Sequence, residues 1–465
     1  MTAAALRTWL PVLLLAAAAA GICLANRHLA GLPLYWDELG VYGPAILYQA
    51  DHGISLLPAG LPPEYSRGHP LLFFALMALG IKVMGYSLLK LHLLALAISL
   101  ATAAVLYRTA LRWLPPFAAA AVAVLWLLQP NWQAMAFLAL PEMLLALWVL
   151  LALDAAARAR WRWYLCWAVC AVLTKESGLI LPLAVGMGTL LRSPLSWRAV
   201  GLAFLPGLAF LLFIAIQKLQ HGWWLFPLHT GFVSVEPQAL FRKLRRAAAF
   251  LLADQGRVWM SLGVLAGLIL HAVQAARLRR LRLPAYALYA AGWAAGLTLF
   301  TAMNFYMERY LLSLLPLLPL LLGALWMPLL SERQVRWAVP AAVLLLAAGC
   351  WMHRSRPVFR YDQDVNYADY VRVQQDACRF VTSRMVPGAK VTANFPAYNG
   401  LLDARLGYLA PGDSLQPYVT LEADTDWALV ITPPAPPMAY APLQARQPDA
   451  EFREGPFLAR VYRLP

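Results

Sequence analysis

The sequence predicts a polytopic α-helical membrane protein, with about eleven transmembrane helices followed by a small C-terminal α/β domain. Three observations carry that expectation. The 465 residues are 61% hydrophobic and only 13% charged, against about 45–50% apolar and about 25% charged in soluble domains. The apolar residues recur in stretches of membrane-spanning length, whereas a single soluble core stops growing near about 250–300 residues. Charge is also unevenly placed. Residues 353–465 hold 12 basic and 12 acidic side chains, so the whole net charge of +15 lies before them. Such an excess fits cytoplasmic loops and anionic head groups, not nucleic acid. The 18 tryptophans and 19 tyrosines suit interfacial belts.

Residues 8–26 form the first apolar run, after Arg7. Its basic start and Ala-rich core resemble a signal peptide, but the later spans and the lack of a clear cleavage site argue for a retained helix. Residues 27–69 are polar and broken by Pro and Gly. Residues 70–86 are apolar but short, with Lys82 inside, and read as a helix lying at the interface. The first outer loop thus covers 27–87. Spans are expected near 88–108, 116–130 and 143–157, in a half-length pair at 163–174 and 178–191, and near 199–217, 258–275, 285–302, 310–330 and 336–352. Four of five cysteines, Cys23, Cys166, Cys170 and Cys350, sit in these runs and read as packing residues. Cys378 is the single cysteine of the tail and has no disulfide partner there.

Orientation follows from the short loops. Arg108 and Arg112, then Arg158, Arg160 and Arg162, then Arg192 and Arg198, then Arg277, Arg279, Arg280 and Arg282, then Arg333 and Arg336 all fall on one face if 70–86 does not cross. That face is cytoplasmic, and so is the N-terminus. Asp154 and Glu332 accompany them. The opposite face receives most other acids, the outer loop 218–257, and the domain 353–465. In that domain 367–385 has helical periodicity, 390–396 and 427–434 read as strands, and 451–464 reads as a strand pair. The Pro-rich link 433–442 reads as a loop.

Charge inside a membrane costs roughly 2.5–3.5 kcal/mol per residue even on lenient scales, so charged helix ends facing one cavity need a reason. Five clusters stand on the outer side. Asp37-Glu38 suits a base with an orienting group or metal ligand, or else a solvated loop pair. Arg67-Gly68-His69-Pro70 suits a phosphate, or else an ordinary helix start with Pro in the first turn. Glu142, after Pro141, is favoured by a helix dipole by about 0.3–1 kcal/mol whatever else it does. Lys175-Glu176 splits an apolar run and fits the mouth of a cavity better than lipid. Arg309-Tyr310 heads a Leu/Pro-rich helix, where the arginine either holds phosphate or snorkels to the interface. His221 and His229, in the loop 218–257, give only a weak metal signal. Together these groups describe an outward cavity for a substrate with a phosphate head and an apolar tail.

In order and spacing these motifs resemble the GT-C superfamily of membrane glycosyltransferases, in particular the protein O-mannosyltransferase and lipid A aminoarabinose transferase group (glycosyltransferase family 39/83). The resemblance rests on Asp37-Glu38 soon after the first helix, His69-Pro70-Leu71 opening a juxtamembrane helix, Glu142 in the next outer loop, Lys175 at a short helix break, and Arg309-Tyr310. It covers residues 1 to about 330. Three details depart from the family pattern: the double Pro has lost one member, Glu142 replaces Asp, and Glu176 replaces Gly. The resemblance implies a GT-C type fold with juxtamembrane helices in the first outer loop, 1–352 being the transferase domain and 353–465 a periplasmic domain. It implies a bacterial cytoplasmic (inner) membrane enzyme of the cell envelope, a hexosyl- or pentosyltransferase. The donor would be a polyprenyl-phosphate-linked sugar and the acceptor a lipid, glycan or protein. Asp37 would be the base, with Glu38 beside it. Glu142 would orient the acceptor or share a divalent metal cation with Asp37. Arg67, His69, Lys175, Glu176, Arg309 and Tyr310 would make up the phosphate site. A transporter or flippase for lipid-linked saccharides, or a non-catalytic assembly subunit, would carry charges too. The sequence has no internal repeat, and the spans 88–108, 116–130 and 310–330 are almost free of charge.

Overall fold

Leucine- and alanine-rich segments in lipid have one economical way to satisfy their backbone, the helix, and the N-terminal three quarters of the chain is built of little else. The computed structural model describes residues 3–278, 285–354, 361–386, 388–411, 413, 415–418, 425–434 and 438–465. Among the described residues, five helices are long and apolar enough to cross a membrane: Leu88–Ala110, Trp197–His221, Asp254–Val273, Glu308–Leu329 and Arg333–Met352. The 17-residue helix Pro141–Ala157 and the helix Ala285–Met303 pack with them, and the first helix, Ala3–Ala25, packs on Pro116–Leu127. The segment expected at 116–130 is a 12-residue helix, Pro116–Leu127, followed by a separate short helix from Pro130, because Pro130 cannot continue the ladder. The segment expected at 310–330 opens as a 3₁₀ turn, Glu308–Leu314, and becomes α-helical at Leu317. Arg279, Arg280 and Arg282 lie outside the described residues. At the expected cytoplasmic face, Arg112 pairs with Asp154.

The outer loop is itself helical. Gly43–His52 forms one helix and Leu72–Met84 another. The latter has 13 residues and rises about 20 Å, too little for a hydrocarbon core of about 30 Å. The apolar run around Lys175 divides into helices Trp161–Thr174 and Ile180–Leu190, joined by the 3₁₀ turn Glu176–Leu179. Gly178 makes this junction possible. A Cβ there would stand 2.2 Å from the Ala171 carbonyl oxygen, which is backbone and cannot step aside.

The C-terminal region folds as helix Tyr367–Thr382 over a five-stranded mixed sheet. The strands are β1 (Lys390–Ala393), β2 (Gln416–Tyr418), β3 (Trp427–Thr432), β4 (Ala450–Glu454) and β5 (Phe457–Arg463), in the order β2-β1-β3-β5-β4. β1 runs parallel to β2 and β3, while β5 is antiparallel to β3 and β4. β2 has no periodicity of its own in three residues, and the sequence reading missed it. The expected loop 433–442 is a 3₁₀ helix from Met438 to Ala445, while residues 435–437 lie outside the described set.

This domain is seated on the first outer loop. Tyr35 stacks on Tyr367, with ring centroids 5.0 Å apart, and Trp36 meets Tyr361, Tyr370 and Phe395 edge-on. The Leu34 N–H donates to the Leu406 carbonyl, and the Tyr408 hydroxyl donates back to the Leu34 carbonyl at 2.9 Å. Arg405 pairs with Asp51 at 2.8 Å. Buried residues of the bundle and of the domain form one continuous apolar cluster.

The Gly178 contact gives a direct check. Gly178→Ala should lower the thermal midpoint of the detergent-solubilised protein, by roughly the 1–3 kcal/mol or more of an overpacked core site, as read by fluorescence-detected unfolding. An unchanged midpoint would show that the helix junction is not fixed by this approach.

Candidate active site

The tryptophan-aspartate-glutamate segment leaves regular geometry before it reaches its carboxylates. Trp36 adopts a positive φ of 50°, a conformation that costs a non-glycine residue energy and persists only where surroundings enforce it. The enforcing contacts are the three aromatic rings of the C-terminal domain already described. From Glu38 to Tyr42 the chain makes one π-helical turn, a form often seen at functional positions. Phe395 lies against Gly40, where a Cβ would come within 2.7 Å of its ring. The two carboxylates consequently point to different partners.

Glu38 is fully buried. Its Oε1 accepts the Ala139 N–H at 2.7 Å and lies 3.2 Å from His92 Nε2, while Oε2 accepts the Tyr35 N–H. His92 Nδ1 in turn meets the Ala30 carbonyl at 3.0 Å. These contacts tie the first outer loop to helix Leu88–Ala110 and to the segment before Pro141. Glu38 therefore stands apart from the other charged groups, as a strut under the turn that carries Asp37.

Asp37 enters a different network, centred on Arg309 at the outer head of helix Glu308–Leu329. Arg309 Nη2 donates to Asp37 Oδ2, and Nη1 donates to Asp362 Oδ2. Its Nε stands 3.3 Å from Glu142 Oε1, an ion contact without hydrogen-bond geometry. Lys175 Nζ donates to the same Glu142 oxygen at 2.7 Å and sits 4.0 Å over the Tyr310 ring. Side-chain exposures separate the members: Arg309 1%, Glu142 2%, Asp362 1% and Lys175 6%, against 20% for Asp37. Of the three carboxylates on Arg309, Asp37 is the one with appreciable exposure.

A second group adjoins this one. His69 Nδ1 lies 2.9 Å from Glu176 Oε2. The His229 ring, from the outer loop 218–257, packs 4.9 Å from His69. Arg67, in a left-handed conformation, turns back and donates to the Gly40 carbonyl at 3.3 Å. Burial in the first place, and then the neighbouring His69, hold His229 down at about 4. The basic helix Pro237–Leu252 of the same loop reaches the site through Arg246, which donates to Glu308 at 2.5 Å.

The structure thus brings together Asp37, Glu142, Lys175, Arg309 and Tyr310, and sets His69 against Glu176. It leaves Arg67 on the backbone and Glu38 beneath. The sequence reading missed Asp362, Gln363, Glu308 and His92. Asp362 is one of 12 acids in a charge-neutral region, with nothing local to single it out. Among the described residues no group of three or more His, Cys, Asp or Glu is disposed to hold a metal ion. Arg309 stands between Asp37 and Glu142 and contacts both.

A bundle of apolar helices with short helices in its first loop and a small C-terminal sheet domain seated on that loop is the GT-C fold. Particular solved structures share it along nearly the whole chain. ArnT from Cupriavidus metallidurans bound to undecaprenyl phosphate superimposes with a TM-score of 0.60, at 16% identity, over 97% of this chain and 97% of that one. The apo form of the same protein gives 0.58, with the same identity and coverage. No protein-family model and no curated protein sequence matches the chain. At 16% identity the likeness is one of fold.

Two outcomes are expected. Glu38→Ala strands the Ala139 N–H and His92 in the interior, and should cost several kcal/mol of the order measured for broken buried pairs, about 3–5 kcal/mol. Glu38→Gln, which keeps an acceptor, should cost distinctly less in the same unfolding assay; equal losses would deny the strut. His229 is held below its ordinary 6.5, so it contributes stability above that value and loses it as pH falls through 6.5 towards about 4. Hydrogen exchange in residues 223–232, corrected for intrinsic rates, should rise over that window, and a flat profile would contradict the packing of His229.

Proposed function

We propose that this protein is an inverting glycosyltransferase that moves a sugar from a polyprenyl-phosphate donor to an acceptor on the outer face of a bacterial cytoplasmic membrane. The observation that carries the reading is the Arg309 network. A buried guanidinium and a buried ammonium stand beside one accessible carboxylate, at the outer end of a lipid-embedded bundle. That is the equipment needed for a leaving phosphate and an incoming hydroxyl. The fold shared with ArnT, whose bound form holds undecaprenyl phosphate, supports a polyprenyl-phosphate carrier as the donor's lipid.

In this reading the acceptor O–H gives its proton to Asp37 as its oxygen attacks the anomeric carbon. The bond from that carbon to the phosphate oxygen breaks, and its electron pair stays on the phosphate. Inversion follows from a single displacement. Arg309 and Lys175 meet the charge that builds on the leaving group, and cations preorganised in a water-poor site do so without the cost of reorienting solvent. Tyr310 steadies Lys175 through its ring face. Glu142, bound to both cations, sets their separation. His69, Glu176 and Arg67 line the adjoining side, where loop 218–257 closes the cavity. The N-terminus is then cytoplasmic and the C-terminal domain periplasmic. No step calls for a metal, since Arg309 takes the position between Asp37 and Glu142.

The test is mass spectrometry of lipids and glycans from cells lacking the protein, complemented with wild type or Asp37→Asn. A sugar modification should vanish and an isoprenoid-phosphate sugar accumulate, with wild type alone restoring both. Removing a general base costs about 10²–10⁴-fold in rate, enough to abolish visible complementation. Full complementation by Asp37→Asn would discard the transferase reading in favour of a carrier of lipid-linked saccharides.

A further inference from the structure

The Arg309 network has more negative than positive members. Asp37, Glu142 and Asp362 face Arg309 and Lys175. Asp362 is the member that the transfer chemistry leaves unused. It comes from the first turn of the C-terminal region, Tyr361–Gln363, and not from the membrane bundle. The same turn grips the neighbouring residue as well, for Gln363 Nε2 donates to Glu308 Oε2 at 2.5 Å. Asp362 is 1% exposed, and only its Oδ2 is bonded to Arg309; Oδ1 is buried without a hydrogen bond. Such an atom is costly to bury unless a proton or a partner compensates it. Burial pushes the Asp362 carboxyl up to about 6, against the pull of Arg309.

We propose that Asp362 is a positioning residue that acts as a resident counter-anion: it holds one end of the Arg309 guanidinium against Asp37 and competes with the donor phosphate for that cation. The inference rests on the reading of Arg309 as a phosphate group's partner. A phosphate arriving at Arg309 and Lys175 meets a carboxylate already on the guanidinium. The repulsion between the two anions is strong in a site this poor in water. The bundle thus presents a preset cation, and the C-terminal turn tunes how tightly that cation takes phosphate.

The experiment uses the full-length protein in nanodiscs, titrated with undecaprenyl phosphate and followed by native mass spectrometry, with the thermal midpoint measured alongside. Asp362→Asn keeps an oxygen for Arg309 Nη1 and removes the charge. It should bind undecaprenyl phosphate more tightly, by roughly tenfold, even where its midpoint falls. A merely structural role would leave affinity unchanged or weaken it, and either result overturns the proposal. Asp362→Ser, neutral and smaller, carries the same expectation should the asparagine variant not yield folded protein. Arg309→Gln serves as the second arm. If it binds as wild type does, the phosphate reading of the site fails, whatever Asp362 does. If it binds at least tenfold more weakly while Asp362→Asn does not tighten, the counter-anion inference alone fails.

Discussion

A guanidinium buried to 1% exposure within a membrane protein is the constraint on which the rest of this structure turns. Stripping such a cation of water costs several kcal/mol, recovered only if every face of it meets an anion in good geometry. Arg309 meets that condition through carboxylates from three parts of the chain: Asp37 of the first outer loop, Glu142 at the head of a helix, and Asp362 of the C-terminal region. Each of the three meets a different nitrogen of the guanidinium. The network therefore closes the fold as well as furnishing a site, joining segments separated by more than three hundred residues in sequence.

That closure explains why the C-terminal domain is seated where it is. A domain tethered only by the last helix would need no aromatic clasp. Here Tyr35 and Trp36 sit among Tyr361, Tyr367, Tyr370 and Phe395. Aromatic pairs of this kind add roughly 0.5–1.5 kcal/mol each beyond the area they bury. The clasp holds Trp36 in its left-handed conformation, and Trp36 immediately precedes Asp37. Contacts made by the C-terminal domain thus set the direction of a carboxylate in the first loop of the helical bundle. Glu38 supplies the counterforce from below, through Ala139 and His92.

Around Arg309, burial sorts residues that look alike. Asp37, Glu142 and Asp362 all contact Arg309, yet only Asp37 retains appreciable exposure, at 20%. In the proposed transfer the incoming hydroxyl needs access to its base, and Asp37 is the carboxylate whose exposure allows it. Lys175 and Arg309 divide the cationic work in a comparable manner. The ammonium is held over the Tyr310 ring and on Glu142, and the planar guanidinium bridges several carboxylates at once, as its fork of donors permits.

The membrane bundle, the interfacial helix after Pro70, the helix break at Lys175 and most of the C-terminal strands were legible in the sequence. Each follows from a local quantity: the polarity of a side chain against hydrocarbon, a period of 3.6 or 2, or a proline that cannot donate. The positions of Asp37, Glu142, Lys175 and Arg309 were legible too, because charge at the end of an apolar run is conspicuous. The split between Asp37 and Glu38 was not, since adjacent carboxylates are indistinguishable until a π-turn sends them to different partners. Nor was Asp362, which in a charge-balanced region looks like any solvated acid. By itself the sequence determined which segments are apolar helices and which charges stand at their ends, because solvation acts residue by residue. Only the tertiary structure decided which carboxylate keeps its exposure and which are buried against the arginine, because that depends on long-range contacts that no local pattern encodes.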